Sequence, residues 1–216
     1  MHPTEASHSR EGASQVTRTL ALAFLISAVA FICAVCGGGS ASSPALTPPS
    51  STSASSAWRG LIVADENRCS PYNSDDYSYS QSVEDEIIAQ LGGIYSPYSG
   101  ECFASKSQTD IEHMVARSEA HDSGLCAADD GTRSSFGSAL DNLTLASPSV
   151  NRDRKGAKDA AEWLPERNRC WFAATVIEVR RKYGLTINSL ETDALDQVLA
   201  SCTSTELERS TCDGGT

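Results

Sequence analysis

Two segments decide how this chain is read: Thr109–Arg117, TDIEHMVAR, and Leu140–Pro165, LDNLTLASPSVNRDRKGAKDAAEWLP. The first places a carboxylate beside an imidazole, Glu112-His113, among the β-favouring residues Ile111, Met114 and Val115. The second opens with the alternating run Asn142 to Ala146, turns at Ser147-Pro148-Ser149, and continues through Asn151, Arg152, Arg154, Lys155 and Lys158. Alternation predicts a strand and the turn predicts a helix start. Two strands and a helix would thus gather an acid, a histidine and an amide beside a run of cations. Those residue types suit one metal ion and one phosphate.

Outward from these segments the chain divides into three parts. Leu20–Val35, LALAFLISAVAFICAV, is an unbroken apolar run, short for a span of about 20 residues. Small residues follow at Gly39-Ser40-Ala41, so 1–41 is expected to be a secretion signal, with an uncleaved anchor facing outward as the other possibility. In either case this segment engages the membrane or the secretion machinery. Residues 42–57 are almost all Ser, Ala, Thr and Pro with no charge, a composition that cannot offset its ordering entropy, and they are expected to be a disordered spacer. The folded domain is expected over 58–216.

Two of the eight cysteines, Cys33 and Cys36, lie in or beside the apolar run. The other six, with no Cys-x-x-Cys pair, predict disulfides in an exported chain rather than a zinc site. The net charge of −11 excludes a protein that holds nucleic acid through its whole surface, so any polyanion contact must be local.

Apolar spacing predicts three further helices. Ser82–Leu91 has Val83, Ile87, Ile88 and Leu91 on one stripe, Ser82 as N-cap and Gly92-Gly93 as its stop. Arg169–Tyr183, stopped by Gly184, and Leu190–Leu199 follow one another closely enough to predict an antiparallel hairpin. That hairpin brings Cys170 to Cys202. Cys69 with Cys102 is the second expected pair. Leu61–Val63 reads as a strand, and Ser118–Asp141 as an insertion between the two strands of the central segments.

Glu112-His113, Leu140–Leu143, and Ser149-Val150-Asn151 with Lys155-Gly156 together resemble an HNH endonuclease in its His-Asn-Asn form. The resemblance is closest to the C-terminal nuclease domain of GmrSD-type restriction enzymes and to related small secreted HNH nucleases. Ala116 stands where such enzymes often have proline. The resemblance implies an α+β fold with a ββα-metal (HNH, His-Me finger) core, extra helices and the C-terminal hairpin. His113 would end the first strand, Asn142 open the second and Asn151 lie on the helix. Catalysis falls to His113, as base for a water, and to Asn142, which orients it. Glu112 and Asn151 are the expected ligands of one divalent ion, Mg²⁺ or else Mn²⁺, with Asp110 in reserve, because neighbouring strand residues face opposite ways. Arg152, Arg154, Lys155 and Lys158 are the expected phosphate contacts. The expected activity is hydrolysis of DNA, or of RNA, with little sequence preference and no obligate protein partner, outside the cell. Two competing readings are a disulfide-stapled binding module with a degenerate site, and a zinc hydrolase using His113 and His121.

Overall fold

A computed structural model describes residues 56–212, in which two two-stranded antiparallel sheets combine with five α-helices and three disulfides. The expected signal segment, and all of the expected spacer but its last two residues, lie outside the described residues. Among those residues no helix is long and apolar enough to cross a membrane.

Strands β1 (Ala57–Trp58) and β2 (Leu61–Ile62) are joined through Arg59 and Gly60, at φ 47° and 85°. Two consecutive positive φ values match the twist of a tight hairpin. Helix α1 (Val83–Leu91) presents Val83, Ile87 and Leu91 to the interior and ends at Gly92, φ 77°. Ser82 makes no capping bond, contrary to expectation.

The central sheet pairs β3 (Asp110–His113) with β4 (Leu143–Ala146), Glu112 opposite Thr144 and His113 opposite Leu143. The connection between them folds into α2 (Arg117–Asp122) and α3 (Asp130–Gly137), the latter capped by the Asp129 carboxylate on the Thr132 N–H. Strand alternation gives this small sheet two distinct faces. Ile111, Leu143 and Leu145 join the apolar cluster of α1. Asp110 and Glu112, on the other side, meet a seven-residue π-helix, Ser149–Lys155.

The C-terminal third is α4 (Arg169–Tyr183) and α5 (Ser189–Leu199), turned at Gly184 and capped by Asn188 on the Glu191 N–H. Phe172, Val176 and Val179 of α4 and Leu195 and Val198 of α5 form the larger core with Met114, Val115 and Val150. Cys170–Cys202 closes the open end of this hairpin. The expected Cys69–Cys102 pair is not formed. Cys69 joins Cys126 in the insertion, and Cys102 joins Cys212 near the C-terminus. Both bridges link segments that only tertiary packing brings together, 57 and 110 residues apart.

Arg180 is wholly buried and ties these elements together. Its guanidinium meets Glu119 of α2 at 2.7 Å and Glu191 of α5 at 2.6 Å. Burial pushes the Glu191 carboxyl up to about 7, against the pull of Arg180, with Asp159 and Glu119 pushing the same way as burial. The native state therefore holds this proton more tightly than the unfolded chain, whose carboxyl titrates near 4.5. Stability from this group is present below about pH 4.5 and is lost as pH rises through about 7. Glu191→Gln should consequently gain roughly 2–4 kcal/mol relative to the parent between pH 4.5 and 8, read by urea denaturation at each pH. A constant difference across that range would refute this account.

Candidate functional site

His113 ends β3 and is buried, 7% of the residue being exposed. It lies between Tyr79, ring centroids 5.6 Å apart, and Phe136 of α3, stacked at 6.2 Å. Its Nε2 is 2.8 Å from the carbonyl oxygen of Gly137. A carbonyl can only accept, so Nε2 carries the proton and Nδ1 is left as the basic nitrogen. The expected titration near neutrality does not hold. Burial, only partly offset by the Gly137 bond and aided by Arg117 and Lys155, lowers the imidazole to about 3 and keeps it neutral.

Gly137 was not legible as a site residue. A side chain there would place a Cβ 2.2 Å from the Tyr77 carbonyl oxygen, so the end of α3 approaches that backbone as only glycine allows. The approach fixes the carbonyl that fixes the ring.

Asn142 is fully buried and bonds main chain on the far side of His113. Its amide oxygen accepts from the Val115 N–H at 2.8 Å and its NH₂ donates to the Val115 carbonyl at 3.1 Å. The Met114 N–H donates to the Asn142 carbonyl. The turn that follows His113 is thereby strapped to the start of β4.

Glu112 borders the same cavity as His113, but its side chain is committed elsewhere. Lys155 Nζ lies 2.8 Å from Oε1, with the two side chains 0% and 2% exposed. The Tyr98 hydroxyl donates to Oε2. Burial raises the Glu112 carboxyl, with Lys155 and Tyr98 opposing the shift. Burial and Glu112 together hold the Tyr98 phenol well above its ordinary value, so it remains a donor. The ligand role expected of Glu112 gives way to a structural one. Lys155 also donates to the His113 carbonyl at 2.9 Å, so it is an internal anchor and not a phosphate contact.

Asp110 lies on the same strand face as Glu112. It accepts from the Asn151 amide at 3.1 Å and from Arg152 at 2.6 and 2.7 Å. Arg154 pairs with Glu166, and Lys158 donates to the Arg154 carbonyl. The basic run of 152–158 is therefore largely spent on internal partners. His113, Asn151, Arg152, Arg117, Tyr72 and Tyr79 line one cavity of about 310 Å³. Asp110, Asn151 and Arg152 line its neighbour of about 280 Å³. A larger cavity of about 540 Å³ beside α1 and α4 holds none of the expected site residues, so size alone does not locate the chemistry.

Residues 64–197 match the family model described as "GmrSD restriction endonucleases, C-terminal domain". The chain belongs to this family. The match takes in both central strands, the π-helix and the helices between them. An "Uncharacterized secreted protein" of Arthroderma benhamiae is 28% identical over 185 residues, covering 74% of this chain and 91% of that one. No solved structure matches.

Two further features bear on this GmrSD-family domain. His121, entertained as a zinc ligand, has Nε2 on the Ser70 carbonyl and Nδ1 on the Tyr77 hydroxyl, both ring nitrogens being used inside the core. Among the described residues, the acidic group whose oxygens lie within 4.8 Å of one another is Glu66, Glu119 and Asp159. None of these is an expected ligand, and Glu119 is already held by Arg180.

Two outcomes are expected from this geometry. Glu112→Gln strands the buried Lys155 charge and should cost about 3–5 kcal/mol by chemical denaturation, with Lys155→Met in the same chain restoring most of the loss. Gly137→Ala should cost about 1–3 kcal/mol and displace the His113 ring, which nitrogen NMR reads as loss of the uniform Nε2–H tautomer. A parent ring titrating near 6.5 in that experiment would contradict the buried, neutral imidazole.

Proposed function

We propose that this protein is a secreted, divalent-metal-dependent endonuclease that hydrolyses phosphodiester bonds of DNA, with RNA the second candidate substrate, at the cavity of His113 and Asn151. The carrying observation is that cavity: an imidazole with its tautomer set by Gly137 shares it with an amide and a guanidinium, in a chain of an endonuclease-domain family. The disulfides, the apolar run Leu20–Val35 and the name of the Arthroderma benhamiae relative support action outside the cell.

The donor set fits a hard divalent ion. Asp110 supplies a carboxylate and Asn151 an amide oxygen, since the Asn151 bond to Asp110 uses its NH₂. Oxygen donors few in number suit Mg²⁺, which keeps several of its waters, and Mn²⁺ accepts the same set. Asp110 and Asn151 would hold the ion, with Arg152 released from Asp110 toward phosphate. When bound, such an ion supplies charge to a phosphoryl oxygen and acidifies water.

His113 takes the proton. Its Nδ1 is unprotonated at any pH above about 3, so the base form is always present. A phosphate beside the ring favours the imidazolium and raises its proton affinity at the moment of attack. Asn142 keeps the turn after β3 in place, and Lys155 holds the π-helix, and with it Asn151, against the strand. Among the described residues most cations of the run 152–158 are held by carboxylates or carbonyls of their own chain, which supports cleavage guided by backbone and shape rather than base edges.

The purified mature protein should nick plasmid DNA in Mg²⁺ or Mn²⁺ and be silenced by EDTA. His113→Ala should lose about 10²- to 10⁴-fold in rate while keeping the parent's circular dichroism spectrum, at a melting temperature lowered by the cavity and the unpaired Gly137 carbonyl. The kcat/KM profile should show no acid limb at the ordinary histidine value. Parent-level cutting by His113→Ala would remove the imidazole from the mechanism.

A further inference from the structure

Charge is distributed unevenly around the His113 cavity. Arg152 is held by Asp110 at 2.6 Å, and Lys155 is buried on Glu112. Arg154 and Lys158, with their own internal partners, are not among the residues lining it. Arg117 differs. It opens α2, lines the same cavity as His113, and is only half-buried. Among the described residues no carboxylate lies within ion-pair distance of its guanidinium, whose single hydrogen bond is a long one, 3.5 Å to the Ser74 carbonyl. Its position is well determined, because the turn that separates it from His113 is the one Asn142 straps through both main-chain groups of Val115.

We propose that Arg117 is the phosphate anchor of this cavity, its guanidinium binding non-bridging oxygens of the nucleic-acid phosphate that lies against His113. This identifies a substrate-contacting residue for the reading given under Proposed function, and it rests on that reading. A guanidinium presents a planar fork of donors that matches a phosphate in two-point contact. In a chain of net charge −11, a cation with no carboxylate partner is where a polyanion meets least repulsion. The other arginine of the cavity, Arg152, turns to phosphate only where an ion takes Asp110 from it; without the ion it keeps two short bonds there, whereas Arg117 has no carboxylate to leave.

The same placement couples binding to proton transfer. Arg117 acts on the ring through space, disfavouring the imidazolium in the free protein, and acts likewise on the Tyr72 phenol across the cavity. A phosphate bound by Arg117 cancels that field. His113 then becomes a better proton acceptor when substrate is present, a gain that a purely structural arginine would not provide.

The test separates binding from cleavage. A fluorescein-labelled single-stranded oligonucleotide is titrated with the full chain in EDTA, by anisotropy, over a series of KCl concentrations. Arg117→Ala should weaken binding about ten- to a hundredfold, the scale of a charge-assisted contact. It should also flatten the slope of log K against log salt by about 0.7, one phosphate contact on a single strand. Arg117→Lys should keep the slope and recover part of the affinity. Arg181→Gln, which removes an equal charge from an ion pair with Glu178 outside the cavity, should match the parent. In the His113 NMR titration, Arg117→Ala should move the ring's midpoint upward. A parent that does not bind the strand, or an Arg117→Ala variant with the parent's affinity and slope, overturns the proposal. If Arg117→Ala loses binding while the parent binds the strand but never cuts nucleic acid in Mg²⁺ or Mn²⁺, the anchor stands and the hydrolytic reading falls.

Discussion

The ion pair between Glu112 and Lys155 sets the position of everything around the cavity. Both side chains are out of reach of water, and neither can be left without the other, because an unpaired buried charge costs more than the pair itself contributes. The π-helix therefore docks on β3 in one register. That register sets Asn151 and Arg152 opposite Asp110, and it brings Lys155 onto the carbonyl of His113. Tyr98, from the turn beyond α1, completes the acid's partners and packs edge-on against Trp163 and Phe172, which connects the pair to the larger core. A polar contact thus specifies geometry that apolar packing, which is tolerant of small slips, would leave loose.

The imidazole is set from the opposite side. The insertion between β3 and β4 looks like a digression in the chain, yet α3 returns to lay the Gly137 carbonyl against the ring and Phe136 along its face. Burial then removes the usual reason for choosing histidine, a titration near neutrality. What remains is a neutral base with a defined lone pair, in a cavity shared with two arginines. In such a place a negative charge brought beside the ring would shift its protonation more than a change of pH near neutrality.

Much of the architecture was legible before any coordinates. Helices α1, α4 and α5 follow the apolar spacing nearly residue for residue, since each buries a single stripe. The Cys170–Cys202 bridge follows from the same local logic, two ends of one short hairpin. The Cys69 and Cys102 partners did not yield to it, because their loops close only when α2, the insertion and the C-terminal tail have packed. The basic run after Asn151 read as a phosphate surface, and most of it proved to face carboxylates of its own chain.

By itself, then, the amino-acid sequence determined the order of the main strands and helices and the membership of the family. Period-two alternation even warned that Glu112 and His113 look opposite ways. Only the tertiary structure decided what each of them finds there. Partner choice for a charge depends on what lies within a few ångströms across the fold, and that distance is set by long-range packing. So Glu112 found Lys155, His113 found the Gly137 carbonyl, and Arg117 was left with a cation's charge and no carboxylate to spend it on.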